Sequence, residues 1–299
     1  IDIGGPARQA MVADLLPEKK RAQGYGIMRV AFNLSVTIGP AIGGLLAARS
    51  YLLLFITDAV ISLIVAALVF VLIPETKPET APGAEEENVS QAFGGYALVF
   101  RDYLFLAFIG VSILMGLVYM NLNTTLGVFL RDTFSVSEAR YGALLSLNAL
   151  MVVLFQFPIM RKIENKPPML MMAAGMVLYT IGFVMYGFVA TTLFFAMAMV
   201  ILTVGEMLVA PVAQSLVAHF SPEDMRGRYM AIFGISGAVP FALGPLLAGM
   251  VLDNAPDQRI LWYAVGIVGV LATFGFLWLH RKTTEKKPHV EREIAPEAV

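Results

Sequence analysis

Glu206 stands near the middle of 191–219, a stretch otherwise almost free of charge. An ionisable side chain in such a setting is costly in lipid, so it faces a cavity or a partner. Desolvation favours the neutral form of a carboxyl group, which suits a residue at that depth to take and release protons. The alternative is a structural glutamate bonded to a neighbouring helix. Arg29 lies in a second apolar stretch, 26–44, with Asn33 and Thr37 following at intervals of four, so the three share one face of a helix. A cation there needs a carboxylate or carbonyl partner, or else lines a cavity. Tyr119, Asn121, Asn123, Thr124 and Thr125 crowd a third segment, and Asn148 and Gln156 lie two turns apart in a fourth. Their neutral amides and hydroxyls suit either a substrate pathway or hydrogen bonds between helices, each worth about 1 kcal/mol in a membrane. Asp58 reads as a polar anchor near a helix end.

Other chemistries are disfavoured. There is no cysteine, and the three histidines, His219, His280 and His289, fall at or beyond expected helix ends, so no metal site is expected. No Gly-rich phosphate loop, metal-ligand spacing or Ser/His/Asp arrangement stands out, which argues against an enzyme and against a cofactor. A net charge of −1 argues against a nucleic-acid partner.

The elements that must hold these residues are membrane helices. The 299 residues are 58% hydrophobic and 14% charged, with mean hydropathy +0.74, against about 25% charged in a soluble domain. Residues 1–16 read as the end of a span. Complete spans follow at roughly 25–47, 51–73, 103–130, 139–161, 168–189, 191–219, 228–252 and 259–280. The intervening 74–102 is a proline-rich, acidic linker ending in a short interfacial helix around Phe93, Tyr96, Ala97 and Phe100, and 281–299 is a polar tail. Fifteen lysines and arginines collect on one side of these spans and four on the other, with Arg8 and Arg29 inside them. The basic side, with the linker and the C-terminus, is therefore expected to be cytoplasmic, in a multi-pass protein of the cell membrane.

The stretch 26–44 has a second face. Ala31, Ser35, Gly39, Gly43 and Ala47 recur every fourth residue, a stripe of small side chains that lets another helix approach closely. A related segment lies 205 residues downstream: Pro6, Gln9, Val12, Ala13, Pro17, Glu18, Arg21, Ile27, Gly39, Pro40 and Gly44 all recur, eleven identities in 39 positions without a gap. Repeats on this scale in an apolar chain are a transporter's architecture. Three whole spans precede the second copy, so by symmetry about 100 residues and three helices are expected ahead of residue 1, which would start the chain within a fourth helix. Arg21 and Arg226 occupy equivalent turns, each three residues after a glutamate, Glu18 and Glu223. They are either solvated topology signals or members of a gate on the cytoplasmic side.

These motifs resemble the Major Facilitator Superfamily, and most of all its twelve-helix drug:proton antiporter branch. That branch's fifth-helix signature, G-x8-G-x3-G-P-x2-G-G, reads here Gly26, Ser35, Gly39, Pro40, Gly43 and Gly44, with serine at the second glycine. Pro211 after Glu206, and Arg226-Gly-Arg-Tyr-Met ahead of Gly244-Pro245, resemble the tenth and eleventh helices. The resemblance implies an all-α membrane protein of two pseudo-symmetric six-helix bundles, here eight complete spans and a partial one. Residues 1–73 would close the first bundle, 74–102 link the two, 103–280 form the second and 281–299 the tail. It further implies a monomeric secondary transporter exporting small hydrophobic or amphiphilic compounds in exchange for protons. Proton-coupled or facilitated uptake of a metabolite is an alternative, and a non-transporting sensor or scaffold another. Glu206 is the proton-coupling candidate. Arg29, Asn33, Tyr119, Asn121, Asn123, Asn148 and Gln156 are candidates for the substrate pathway, the glycine signature for packing between the bundles, and Arg21, Glu223 and Arg226 for a cytoplasmic gate.

Overall fold

The computed structural model describes residues 5–74 and 95–285. Among them every regular element is helical: α1 (Gly5–Leu15), α2 (Glu18–Arg49), α3 (Tyr51–Leu72), α4 (Tyr103–Met120), α5 (Leu126–Phe134), α6 (Glu138–Ile163), α7 (Pro168–Met185), α8 (Thr192–Phe220), α9 (Arg226–Asn254) and α10 (Ile260–Glu285). Seven are long and apolar enough to cross a bilayer. The 32 residues of α2 exceed the roughly 20 a span needs as well. Residues 95–99, from the expected interfacial segment, are helical, whereas most of the expected linker and tail, including Phe93, lies outside the described residues.

One expected span is broken. The stretch 103–130 forms two helices, because the chain turns at 121–125, where Thr124 and Thr125 share a hydroxyl contact of 3.1 Å and Thr124 Oγ1 donates back to Met120 O at 2.8 Å. Such hydroxyls offer the backbone an alternative to the helical ladder. The second piece, α5, ends at Ser135, whose left-handed φ of 53° lets the amide of Val136 reach Leu130 O at 3.1 Å. Entry signals are local too. Asp102 accepts from the amide of Phe105 at 3.0 Å to start α4, and Ser137 accepts from Arg140 at 3.4 Å to start α6. Pro158, Pro211, Pro240 and Pro245 all sit inside long helices, as is tolerated where neighbouring helices satisfy the freed carbonyls.

The segments α4–α5 and α6 to α10 make six spans. In lipid their association rests on close packing rather than on the hydrophobic effect. A Cβ on Gly205 of α8 would lie 2.6 Å from Gly175 O of α7, so the two backbones meet directly there. Likewise α4 meets α9 at Gly116, where a Cβ would lie 2.7 Å from Ser236 O. Aromatic clusters fill the two ends. At one, Trp262 stacks on Phe183 at 6.0 Å and meets the edge of Phe129 at 5.1 Å. At the other, where the basic turns collect, Phe105 lies 4.5 Å from Tyr229 and Phe108 5.6 Å from Phe220.

Against this unit, α1 packs on α9, and α2 packs on α6 and α8. The contact with α6 lies early in α2: a Cβ on Gly26 would come within 3.2 Å of Met160 and 3.5 Å of Gln156. Further along, a Cβ on Gly39 or Gly43 would meet no atom of another element within 4 Å among the described residues. The α3 helix packs on α2 and buries none of its own residues.

Candidate functional site

Where α2 crosses α6 and α8, the charged and amide side chains converge. Glu206 projects from α8, next to the close approach at Gly205, and its side chain is 2% exposed. Both carboxylate oxygens are occupied. Oε1 pairs with the guanidinium of Arg29 from α2 and accepts from the Tyr119 hydroxyl of α4 at 2.7 Å. Oε2 accepts from Asn148 Nδ2 of α6 at 2.6 Å, and the same amide nitrogen lies 2.9 Å from Thr203 Oγ1, one turn before Glu206. The Thr203 hydroxyl donates in turn to Met199 O at 2.6 Å. Four helices therefore meet on one carboxylate. Asn33, one turn further along α2, donates to the backbone oxygen of Arg29 at 2.9 Å.

The two ions are not equally sealed. Arg29 is 17% exposed, and its Nε is buried without an acceptor. Removing either member of a buried pair strands the other charge, which typically costs about 3–5 kcal/mol.

Of the remaining pathway candidates, Gln156 is buried one turn from Met160, donates to Met207 O at 2.9 Å, and leaves its Oε1 without a partner. Asn121 and Asn123 lie elsewhere: Asn121 donates back to Leu117 O at 2.8 Å in the turn that ends α4, and Asn123 is exposed. Asp58 is exposed on α3. Of the glycine signature, Gly26 meets α6, Ser35 donates to Ala31 O at 2.8 Å, and Gly39 and Gly43 stand clear. The surroundings of Pro40, Gly44 and Thr37 lie outside the described side chains.

At the end bearing the basic turns a second set of polar contacts closes the seam. Arg226, the first residue of α9, pairs with Asp14 of α1 and lies 3.4 Å from Glu223. His219 of α8 meets Glu18 of α2 at 2.7 Å. Glu164, at the end of α6, receives Lys20 at 3.1 Å and Gln23 at 2.7 Å. Arg21, the repeat counterpart of Arg226, instead donates within its own half, to Ala13 O at 3.0 Å. Asp14, Glu164 and Thr203 were not singled out in the sequence. A usable signal existed for Thr203, one helical turn from Glu206. The repeat places His219 opposite Asp14, so symmetry gave no hint that position 14 holds the acid of the crossing pair.

A sequence profile of the Major Facilitator Superfamily matches residues 3–131 and again 108–298. The chain is 26% identical over 298 residues to a Na(+), Li(+), K(+)/H(+) antiporter of Planococcus maritimus, spanning 92% of this chain and 69% of the antiporter. It is 20% identical over 297 residues to the multidrug resistance protein MdtH of Shigella boydii, spanning 96% and 70% respectively. The crystal structure of the human organic anion transporter MFSD10 superposes with a TM-score of 0.76 at 22% identity, over 91% of this chain and 67% of that one. With its membrane-length helices and the profile match along nearly all of its length, the chain belongs to the Major Facilitator Superfamily of integral, multi-pass membrane transporters.

Proposed function

We propose that the protein exports small hydrophobic or amphiphilic compounds in exchange for protons, by alternating access between two bundles, with Glu206 as the proton carrier. One observation carries this reading: the carboxylate of α8 is bonded directly to Arg29 of α2, so its protonation is felt on both sides of the seam between α2 and the six later spans. Residues 1–73 then belong to the first bundle and 103–280 to the second, joined by 74–102, with 281–299 a tail. The basic end is the cytoplasmic end, and the protein a monomer in the cell membrane. On this orientation the Arg226–Asp14, His219–Glu18 and Lys20–Glu164 pairs shut the cytoplasmic side, the arrangement of an outward-facing transporter. Export against a proton gradient is supported by the glycine signature of α2 and accords with the names of the antiporter and multidrug relatives.

The test is flux in proteoliposomes. Fluorescent amphiphiles of varied charge are to be followed with and without an imposed pH gradient. At least one should move against its own gradient when protons run the other way, and a protonophore should abolish that movement. A panel in which no compound responds to the gradient contradicts the proposal.

A further inference from the structure

Pro211 has no amide hydrogen, so within α8 the carbonyl of Met207, four residues earlier and next to Glu206, loses its helical donor. Gln156 of α6 replaces it, donating from Nε2 to Met207 O at 2.9 Å. That bond fixes which way the amide faces, and it leaves Oε1 as a buried acceptor with no donor among the described residues. Gly26 brings α2 against the same side chain: a Cβ there would stand 3.5 Å from Gln156 Cγ and 3.9 Å from its Nε2. Arg29 follows three residues on, at a spacing where side chains start about 5–6 Å apart on one helix face. Its Nε is a buried donor with no acceptor among the described residues. Where α2 meets α6 and α8, an orphan donor and an orphan acceptor are thus both sealed from water, and atoms of either kind are costly in that state.

A proton on Glu206 takes away the anion that Arg29 pairs with, and leaves the guanidinium at best a neutral oxygen already shared with the Tyr119 hydroxyl. A buried guanidinium in that position needs another acceptor. Among the described residues the other titratable groups facing the pair are Tyr119 of α4 and Tyr179 of α7, and neither brings a charge while its hydroxyl stays protonated. From α6 come only the neutral amides of Asn148, committed through Nδ2 to Glu206 and Thr203, and of Gln156. Resting on the exchange reading, we propose that Gln156 Oε1 is the second seat of Arg29: when Glu206 loses its charge, the guanidinium turns its Nε edge from α8 to α6. The buried donor and the buried acceptor then answer each other, and α2 stays tied to the six later spans while the proton is carried. Gln156 is on this account a positioning residue for proton exchange.

Gln156→Met keeps the length of the side chain and removes both polar atoms. Its cost is read as the drop in thermal midpoint of the purified protein in detergent. With Glu206→Gln, which removes the charge as a proton does, that drop should exceed the one seen with Glu206 intact by about 5 °C, the shift for one hydrogen bond to an ion in a chain of this size. In the double variant Arg29→Gln with Glu206→Gln the excess should vanish, because no guanidinium is left to seat. Pro211→Ala gives Met207 O a helical amide donor again, and the excess should persist there. With Glu206 intact, the drop should also grow as the medium is acidified. A drop that is the same with and without the charge at 206 overturns the proposal. So does an excess that disappears in Pro211→Ala, since Gln156 then serves only the carbonyl that the proline frees. The acid series decides the matter if Glu206→Gln does not fold. An excess seen with Glu206→Gln but absent at every pH where the protein stays folded leaves the second seat standing and shows that no proton reaches Glu206, so the exchange reading fails instead.

Discussion

Arg29 and Glu206 form the ion pair of the site, and their coupling is measurable. Each has the other as its ionic partner in a nearly sealed environment. Arg29→Gln alone leaves a buried carboxylate with Tyr119 and Asn148 as its donors among the described residues, and Glu206→Gln alone leaves a buried guanidinium. Each single variant is expected to lose about 3–5 kcal/mol of stability, while the double variant loses much less than the sum. Thermal unfolding of the purified variants in detergent checks this, and additive losses would show that the two side chains do not act as a pair. The residue scale was also where the sequence was most legible. Glu206, Arg29, Tyr119 and Asn148 stand out because polar groups in apolar runs must face something, and the structure brings these four into one cluster. Asn121 and Asn123 carry the same signal for a different reason. They occupy a break in the helix, where Asn121 donates to Leu117 O and Asn123 is exposed.

At the scale of elements, the site depends on how closely α8 can lie against α7. Gly205 adjoins Glu206, and a methyl group there would meet Gly175 O at 2.6 Å and Tyr179 N at 3.0 Å. Gly205→Ala should push the two helices apart and lower stability by about 1–3 kcal/mol, the usual cost of overpacking, and should disturb the carboxylate that follows it. A thermal midpoint equal to that of the parent protein would show that the contact has slack. Helix positions were readable from hydropathy because each span must be about 20 apolar residues long. The division of 103–130 into α4 and α5 was not, since Asn, Thr and Thr in an apolar run look the same whether they line a cavity or end a helix. Close approaches such as Gly205 on Gly175 were also hidden. The sequence shows small residues, but which helix each one meets depends on tertiary order.

For the molecule as a whole, the decisive contacts lie at the basic end, where Asp14 of α1 reaches Arg226 at the start of α9. Repeat symmetry drew attention to Arg21 and Arg226 together, yet only Arg226 spans the seam, because its acidic partner at position 14 has a histidine as its counterpart at 219. Asp14→Asn should weaken the closed arrangement and shift the population toward one open at this end. The chain has no cysteine, so spin labels at Lys19→Cys and Lys166→Cys report cleanly. Both positions are exposed and flank a cavity of about 310 Å³ between α2 and the α6–α7 turn. Asp14→Asn should enlarge the long-distance population between the labels, and an unchanged distance distribution would mean that the pair does not hold the seam.

Glu206 offers the most direct test of proton coupling. In proteoliposomes loaded with a transported amphiphile and matched for folded protein, Glu206→Gln should abolish accumulation driven by a pH gradient, and whatever downhill exchange remains should no longer depend on pH. Gradient-driven accumulation that survives undiminished in Glu206→Gln would contradict the assignment of Glu206 as the proton carrier.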